Sequence, residues 1–249
     1  MSDQSNHGYG SYGRLASLFY DTVKQYAPAA EVDFYAQFMS LEGRVLEAMS
    51  GSGRLQIPLL QRGFVVDGVD KSEIMLERCR QRCAQLGLQS ELYQQSLEQL
   101  NLPYLYQTIT IAVGSFQLIS NHQVALKVLQ NLRTQMVLGG SLLIDFFEPD
   151  LEADLRSVRE AALGNGQTLR LTTRYIIDLD QRLADAYCLY ELISGGVVQE
   201  QEEELIQVTW YTAQEWREML HKAGFELVQI YTQDFRRPSL SRVLQARAV

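Results

Sequence analysis

A doubly wound α/β fold is what this sequence predicts, and three observations carry the expectation. Short apolar runs alternate with helical patterns from Arg44 to Phe147; the turn "EAMSGSGR" follows the first of those runs; and Asp70 closes the second, in "VVDGVD". Such alternation marks a mostly parallel sheet covered by helices on both faces. In open sheets of this kind ligands lie beyond the carboxyl ends of the strands, and the first strand-to-helix turn is the usual cradle.

Taken in order, the first dozen residues, "MSDQSNHGYGSY", are polar and lack the apolar centre of a signal peptide, so residues 1–11 read as a flexible arm that includes His7. Two amphipathic helices follow, Tyr12–Val23 and Ala30–Met39, separated by Pro28, and over about residues 12–42 they form an N-terminal cap. The strands are then "RVLEAM", "FVVDGVD", "SELYQQ", "TITIAV" and "SLLIDFF". Ser72 caps the helix after the second strand and Gly87 ends it; a later helix follows Asn121, carries Ala125, Val128, Leu129, Leu132 and Met136 on one face, and stops at Gly139 and Gly140.

The third quarter changes character. Long strands run from Leu169 to Tyr211, with "SGG" at 194–196 as a hairpin turn, which predicts an antiparallel insertion over about 165–211, after the fifth strand. "TAQE", Thr212–Glu215, is a capping box for a helix whose apolar face is Trp216, Met219, Leu220 and Ala223, with His221 in its last turn as a structural residue. Only "DFRRP" separates "FELVQIYTQ" from "SRVLQARA", too short for a parallel return, so the last strand is antiparallel. The expectation is a single domain, 1–249, built on one sheet of seven strands.

Thirty acidic against 22 basic side chains give a net charge of −8, which disfavours nucleic acid and anionic membranes as partners. The run "QEQEEE", Gln199–Glu204, reads as the wet face of a strand or turn. Cys79, Cys83 and Cys188 are odd in number and lack C-x-x-C spacing, which argues against a disulfide framework or a zinc site and for a reduced, cytoplasmic setting. No metal is expected.

Three ligand classes compete for the glycine turn. A nucleoside triphosphate wants a lysine after the second glycine, and none is there. A dinucleotide wants a third small residue where Gln56 stands, and Glu47 would repel a pyrophosphate. A nucleoside carrying a cationic amino-acid tail instead welcomes Glu47, while Asp70 accepts hydrogen bonds from a ribose diol.

The run "VLEAMSGSGRLQIPLLQRGFVVDGVDKSEIMLERCR" resembles the first two motifs of the class I S-adenosylmethionine-dependent methyltransferases, which have a Rossmann-like fold. The likeness continues through "YQQSLEQLNLP", "YQTITIAVGSFQLIS", "LGGSLLIDFF" and "YTAQEWREMLHKAGFELV". It implies S-adenosylmethionine as cofactor, with Gly51, Gly53 and Glu47 at its methionine part and Arg54 facing its carboxylate. Asp70 would hold the ribose, Lys71 and Met75 would flank the adenine, Ser96 and Leu97 would meet its edge, and Gly114 and Ser115 would line the site. The chain departs from the family at Met49, usually a glycine, at Ser96, often an aspartate, and at Gln107, usually an aspartate.

The resemblance implies methyl transfer to a small molecule by in-line displacement, in which positioning carries much of the catalysis. The candidate general base is His122, which opens a helix after the fourth strand, and Tyr20 resembles a tyrosine that closes over the cofactor. Phe146, Phe147, Tyr175, Trp210 and Tyr211 are candidate walls of an acceptor pocket, with core packing as the competing role. The chain lacks the N/D-P-P-Y/F motif and the proline-cysteine nucleophile of nucleic-acid enzymes. A protein that binds the cofactor without transferring methyl groups, as scaffold or sensor, is the alternative. The edges of the insertion offer a surface for a homodimer.

Overall fold

The computed structural model describes residues 12–147, 155–233 and 241–249; the expected arm at 1–11 lies outside them. Helices α1 (Arg14–Val23) and α2 (Ala29–Ala36) precede β1 (Arg44–Ala48), α3 (Gln56–Gln61), β2 (Val65–Asp70), α4 (Glu73–Gln85), β3 (Leu92–Gln94), β4 (Tyr106–Ile111), α5 (His122–Thr134) and β5 (Met136–Phe147). Four strands follow, β6 (Arg156–Ala162), β7 (Gln167–Asp178), β8 (Leu183–Ser194) and β9 (Val197–Thr209), and then α6 (Ala213–Lys222), β10 (Phe225–Thr232) and β11 (Ser241–Ala248).

Seven strands form one sheet in the order β10-β11-β5-β4-β1-β2-β3. β1 to β5 pair in parallel, and β11 runs antiparallel to both β5 and β10. The chain winds outward from β1 to β3 and then returns to β4 on the other side of β1. That reversal opens a crevice at the carboxyl ends of β1 and β4.

Alternate residues of each inner strand face opposite layers. Leu46, Ile109 and Ile144 pack with Val128 and Leu132 of α5 and Trp216 of α6, whereas Val45, Val66 and Leu143 pack with Val32 and Phe34 of α2 and Leu59 of α3. Helix ends behave as the sequence implies. Ser72 caps α4 by accepting from the Met75 amide, Asn121 caps α5 by accepting from the Gln123 and Val124 amides, and Thr212 and Glu215 form the reciprocal capping box of α6. Cys79 and Cys83 pack with Ile57 between α4 and α3.

Two boundaries differ from expectation. α5 ends at Thr134, and Gly139 (φ 78°) and Gly140 lie inside β5, where the register against β4 shifts from Tyr106–Met136 to Thr108–Ser141. The glycines absorb a bulge in a strand instead of stopping a helix. The insertion also begins at Arg156, ahead of residue 165, because the mostly exposed β6 lacks the apolar alternation that announces a strand.

β6 to β9 form a separate antiparallel sheet, β8 and β9 turning at Gly195 and Gly196, both with positive φ. Its inner face, including Leu169, Leu171, Ala186, Cys188 and Tyr190, packs on Leu15, Ala16 and Phe19 of α1. Helix α1 therefore lies on the second sheet, and its far end reaches α4, where Asp21 pairs with Arg78. Among the described residues no helix is long and apolar enough to cross a membrane.

Candidate functional site

The turn after β1 is wound through left-handed backbone at Met49 (φ 58°), Gly51 (φ 55°) and Gly53 (φ 80°). The Ser50 amide donates to the Val69 carbonyl at 3.1 Å, which ties the turn to β2. The two glycines do different work. A Cβ on Gly53 would lie 2.5 Å from Cys79 Sγ, so that glycine permits close packing against α4, whereas one on Gly51 would meet only the Met75 methyl, at 3.2 Å. Gly51 faces a cleft of about 830 Å³ that opens at the switch point.

Asp70 braces the turn. Its Oδ2 accepts from the Gly51 amide at 2.9 Å and its Oδ1 from the Ser72 amide at 2.8 Å. Burial raises its pKa, and the donated amides and Lys71 oppose the rise. Each oxygen keeps acceptor capacity for a further hydroxyl. Burial lowers the pKa of Lys71, with Asp70 opposing.

Glu47 ends β1 in the floor of the cleft at 4% exposure, and its Oε2 has no hydrogen-bond partner. Burial pushes its pKa up to about 8, against the charge of Arg54 and the Gln56 amide that donates to it. Arg54 spends both terminal nitrogens on Glu31 of α2, at 3.0 and 2.5 Å, leaving its buried Nε without a partner. The pair is almost wholly removed from water, with Glu31 at 0% and Arg54 at 5% exposure.

The cleft brings together Tyr20, Glu47, Gly51, Arg54, Asp70 and Lys71, with Met75, Ser96, Leu97 and Ser115 as further lining. Three residues singled out from the sequence stand elsewhere. Gly53 packs on α4; Gly114, at φ 70°, shapes the turn before a short 3₁₀ segment, Ser115–Leu118, with Phe147 against it; and His122 is the exposed first residue of α5, its ring edge-on to Tyr211 at 6.0 Å. Phe146 and Tyr211 pack around Trp216, and Tyr175 lies at the edge of the cluster under α1. Gln117 donates to the Phe147 and Thr209 carbonyls, tying the turn after β4 to the ends of β5 and β9.

The structure also adds residues. Met49 itself lines the cleft, and with Val113, Leu118 and Ile119 it makes an apolar corner. Tyr12, with φ 42°, stands edge-on to Tyr20, ring centres 5.9 Å apart, and burial raises its hydroxyl pKa. Among the described residues, no group of three or more His, Cys, Asp or Glu side chains could hold a metal ion.

The glycine turn, the strand-end carboxylate of Asp70 and the buried Glu47 all fall within a stretch that a comparison with known families matches. Residues 45–140 match the family model of a methyltransferase domain. The resemblance to class I S-adenosylmethionine-dependent methyltransferases is thereby borne out. No curated protein matches the sequence. Solved structures do. A sugar N-methyltransferase of Streptoalloteichus superposes with a TM-score of 0.77 at 17% identity, covering 100% of this chain and 98% of its own. An S-adenosylmethionine-dependent methyltransferase of Clostridium acetobutylicum gives 0.76 at 15% identity, covering 93% and 97%, and an amino pentose methyltransferase of Micromonospora echinaspora gives 0.74 at 14%, covering 96% and 98%. At these identities the likeness speaks for the fold alone, shared along nearly the whole chain.

Proposed function

We propose that this protein is an S-adenosylmethionine-dependent methyltransferase acting on a small molecule. The observation that carries the reading is the unpartnered, buried carboxylate oxygen of Glu47, set in the same cleft as the braced carboxylate of Asp70. A buried carboxylate without a partner is costly, and a cationic ammonium is the ligand that relieves the cost. The residues fit the cofactor along its length. Asp70 has acceptor capacity for two ribose hydroxyls, the bare Gly51 backbone allows close approach, the free Nε of Arg54 suits a carboxylate, and Met75, Ser96 and Leu97 form a wall for the adenine.

Bound there, the cofactor supplies a methyl group on a cationic sulfonium. The protein's part is to bind, orient and exclude water. Glu47 and Arg54 fix the amino-acid end, Asp70 fixes the ribose, and the apolar corner of Met49, Val113, Leu118 and Ile119 keeps water from the reacting centre. The Tyr12 hydroxyl, held protonated by burial, is a donor and not a base. His122 stands outside the cleft lining, so no proton step is assigned to it.

The sugar and amino pentose methyltransferases among the structural neighbours support a polyhydroxylated amine as the acceptor class to try first. The three described cysteines are free and buried, which suits the reducing cytoplasm. A second copy on the insertion sheet would make a dimer, which sedimentation tests. Titration calorimetry with S-adenosylhomocysteine tests the cofactor, and no binding refutes the reading. Binding followed by homocysteine-coupled turnover with an amino sugar supports the enzyme; binding without turnover across acceptor classes favours the scaffold, which the left-handed, cleft-lining Met49 would suit.

A further inference from the structure

Within the acidic run of β9, Gln199, Glu200, Gln201 and Glu203 are exposed, but Glu202 and Glu204 turn inward. Glu204 Oε1 accepts from the Tyr12 amide at 2.9 Å, and Glu202 accepts from the amides of Leu15 and Ala16, also at 2.9 Å, one on each oxygen. Leu15 and Ala16 carry unpaired amides of the first turn of α1, where a carboxylate is favoured by both hydrogen bonding and the helix dipole, while Tyr12 lies two residues ahead of the helix. The approach is tight, because a Cβ on Gly13 would lie 2.5 Å from Glu202 Cδ. Arg14 pairs with Glu200 on the same strand.

The other end of α1 is pinned to the glycine turn. Asp21 Oδ1 accepts from Ser52 Oγ at 2.5 Å, and its Oδ2 pairs with Arg78 of α4. Between the two pins the segment presents Tyr12 and Tyr20 to the cleft. Helix α1 is thus a strap across the cleft, with one end fixed by the second sheet and the other by the turn.

Resting on the cofactor reading above, we infer that Glu202 and Glu204 are positioning residues, which seat the Tyr12–Val23 strap over the cleft and so set how long the cofactor stays bound. Neither lines the cleft; Glu204 acts through the backbone of Tyr12, which does, and Glu202 through the first turn of the helix that carries Tyr20. The arrangement also joins the second sheet to the cofactor cleft through the segment Tyr12 to Ser17, in which the amides of Tyr12, Leu15 and Ala16 are held from β9 and that of Ser17 by the Gly13 carbonyl.

The test is the release rate of S-adenosylhomocysteine, followed by stopped-flow displacement, in Glu202→Ala, Glu204→Ala, Glu202→Gln and Glu204→Gln, beside hydrogen exchange of residues 12–23. The alanine variants are expected to release the ligand at least about tenfold faster, as loss of a charge-assisted hydrogen bond allows, with faster exchange confined to the strap. Glu204→Gln keeps one acceptor for the one amide and is expected to restore slow release. Glu202→Gln, which must serve two amides, is not. Glu203→Ala, on the exposed face of the same strand, is the control with unchanged release. If the alanine variants fail to fold, the contrast between the two glutamine variants decides. Release at the wild-type rate in Glu202→Ala and Glu204→Ala, or in both glutamine variants, overturns the inference while the cofactor reading stands. A wild type that does not bind the ligand refutes the cofactor reading first, and the inference with it.

Discussion

Replacing Glu47 by Gln should stabilise the protein and weaken its ligand binding at once. In the unfolded chain this carboxyl ionises near 4.5, and in the folded protein burial pushes it up to about 8. The native state therefore binds more protons than the unfolded state between those values, so stability falls as pH rises through that window. At about 1.4 kcal/mol per pH unit the loss is about 3 kcal/mol by pH 7 and about 5 kcal/mol by pH 8. The glutamine is isosteric and does not titrate. Urea unfolding of both proteins from pH 4.5 to 9 should give curves that coincide at the acid end and diverge steadily, the variant being more stable, until they run parallel above pH 8. A cationic ligand draws the carboxyl into its ionised form, so wild-type binding of S-adenosylhomocysteine at pH 7 should release a proton. Calorimetry in buffers of different ionisation enthalpy reads that proton directly, and the variant should neither release it nor bind as tightly. Parallel stability curves for the two proteins across the whole range would refute the claim that burial holds the Glu47 carboxyl protonated into this window.

Three other substitutions probe separate supports. Asp70→Ala removes the acceptor of both ribose hydroxyls along with the brace on the Gly51 and Ser72 amides, so affinity for S-adenosylhomocysteine should fall by at least roughly 100-fold, given ~1.5–3 kcal/mol for each hydrogen bond to a charged group; calorimetry measures it. Glu31→Gln leaves the Arg54 guanidinium buried without its counter-charge and should cost about 3–5 kcal/mol by denaturant unfolding. His122→Ala should leave turnover unchanged with any acceptor that supports it, because the ring is exposed and outside the cleft lining; a large loss would return the imidazole to the mechanism.

What could be read from the sequence was local in the chain. Strand, turn and helix at 44–61 lie together and β2 ends at Asp70 soon after, so the glycine turn and the two strand-end carboxylates are legible from spacing, whereas the bond from the Gly51 amide to Asp70 is not. The capping box at Thr212 is likewise contained in four residues. The misreadings arise where the partner is far away. Arg54 reads as a guanidinium wholly free for a ligand, but Glu31, 23 positions earlier, occupies both its terminal nitrogens and leaves only Nε for that role. Glu202 and Glu204 read as solvated until the start of α1, 186 or more positions away, is seen to end on them. β6 escapes notice because a strand with most of its face exposed has no apolar rhythm. Tyr12 and Val113 hold positive φ without being glycine, and nothing in a side chain's identity announces that.

The placement of β11 bears on how the chain assembles at the ribosome. It is the last strand in chain order among the described residues, yet it fills the slot between β5 and β10. Until residues 241–248 emerge, both neighbours carry raw hydrogen-bonding edges beside an apolar layer, a state prone to pairing with other nascent copies. Deleting Ser241–Ala248 would thus leave two adhesive borders in the middle of the sheet.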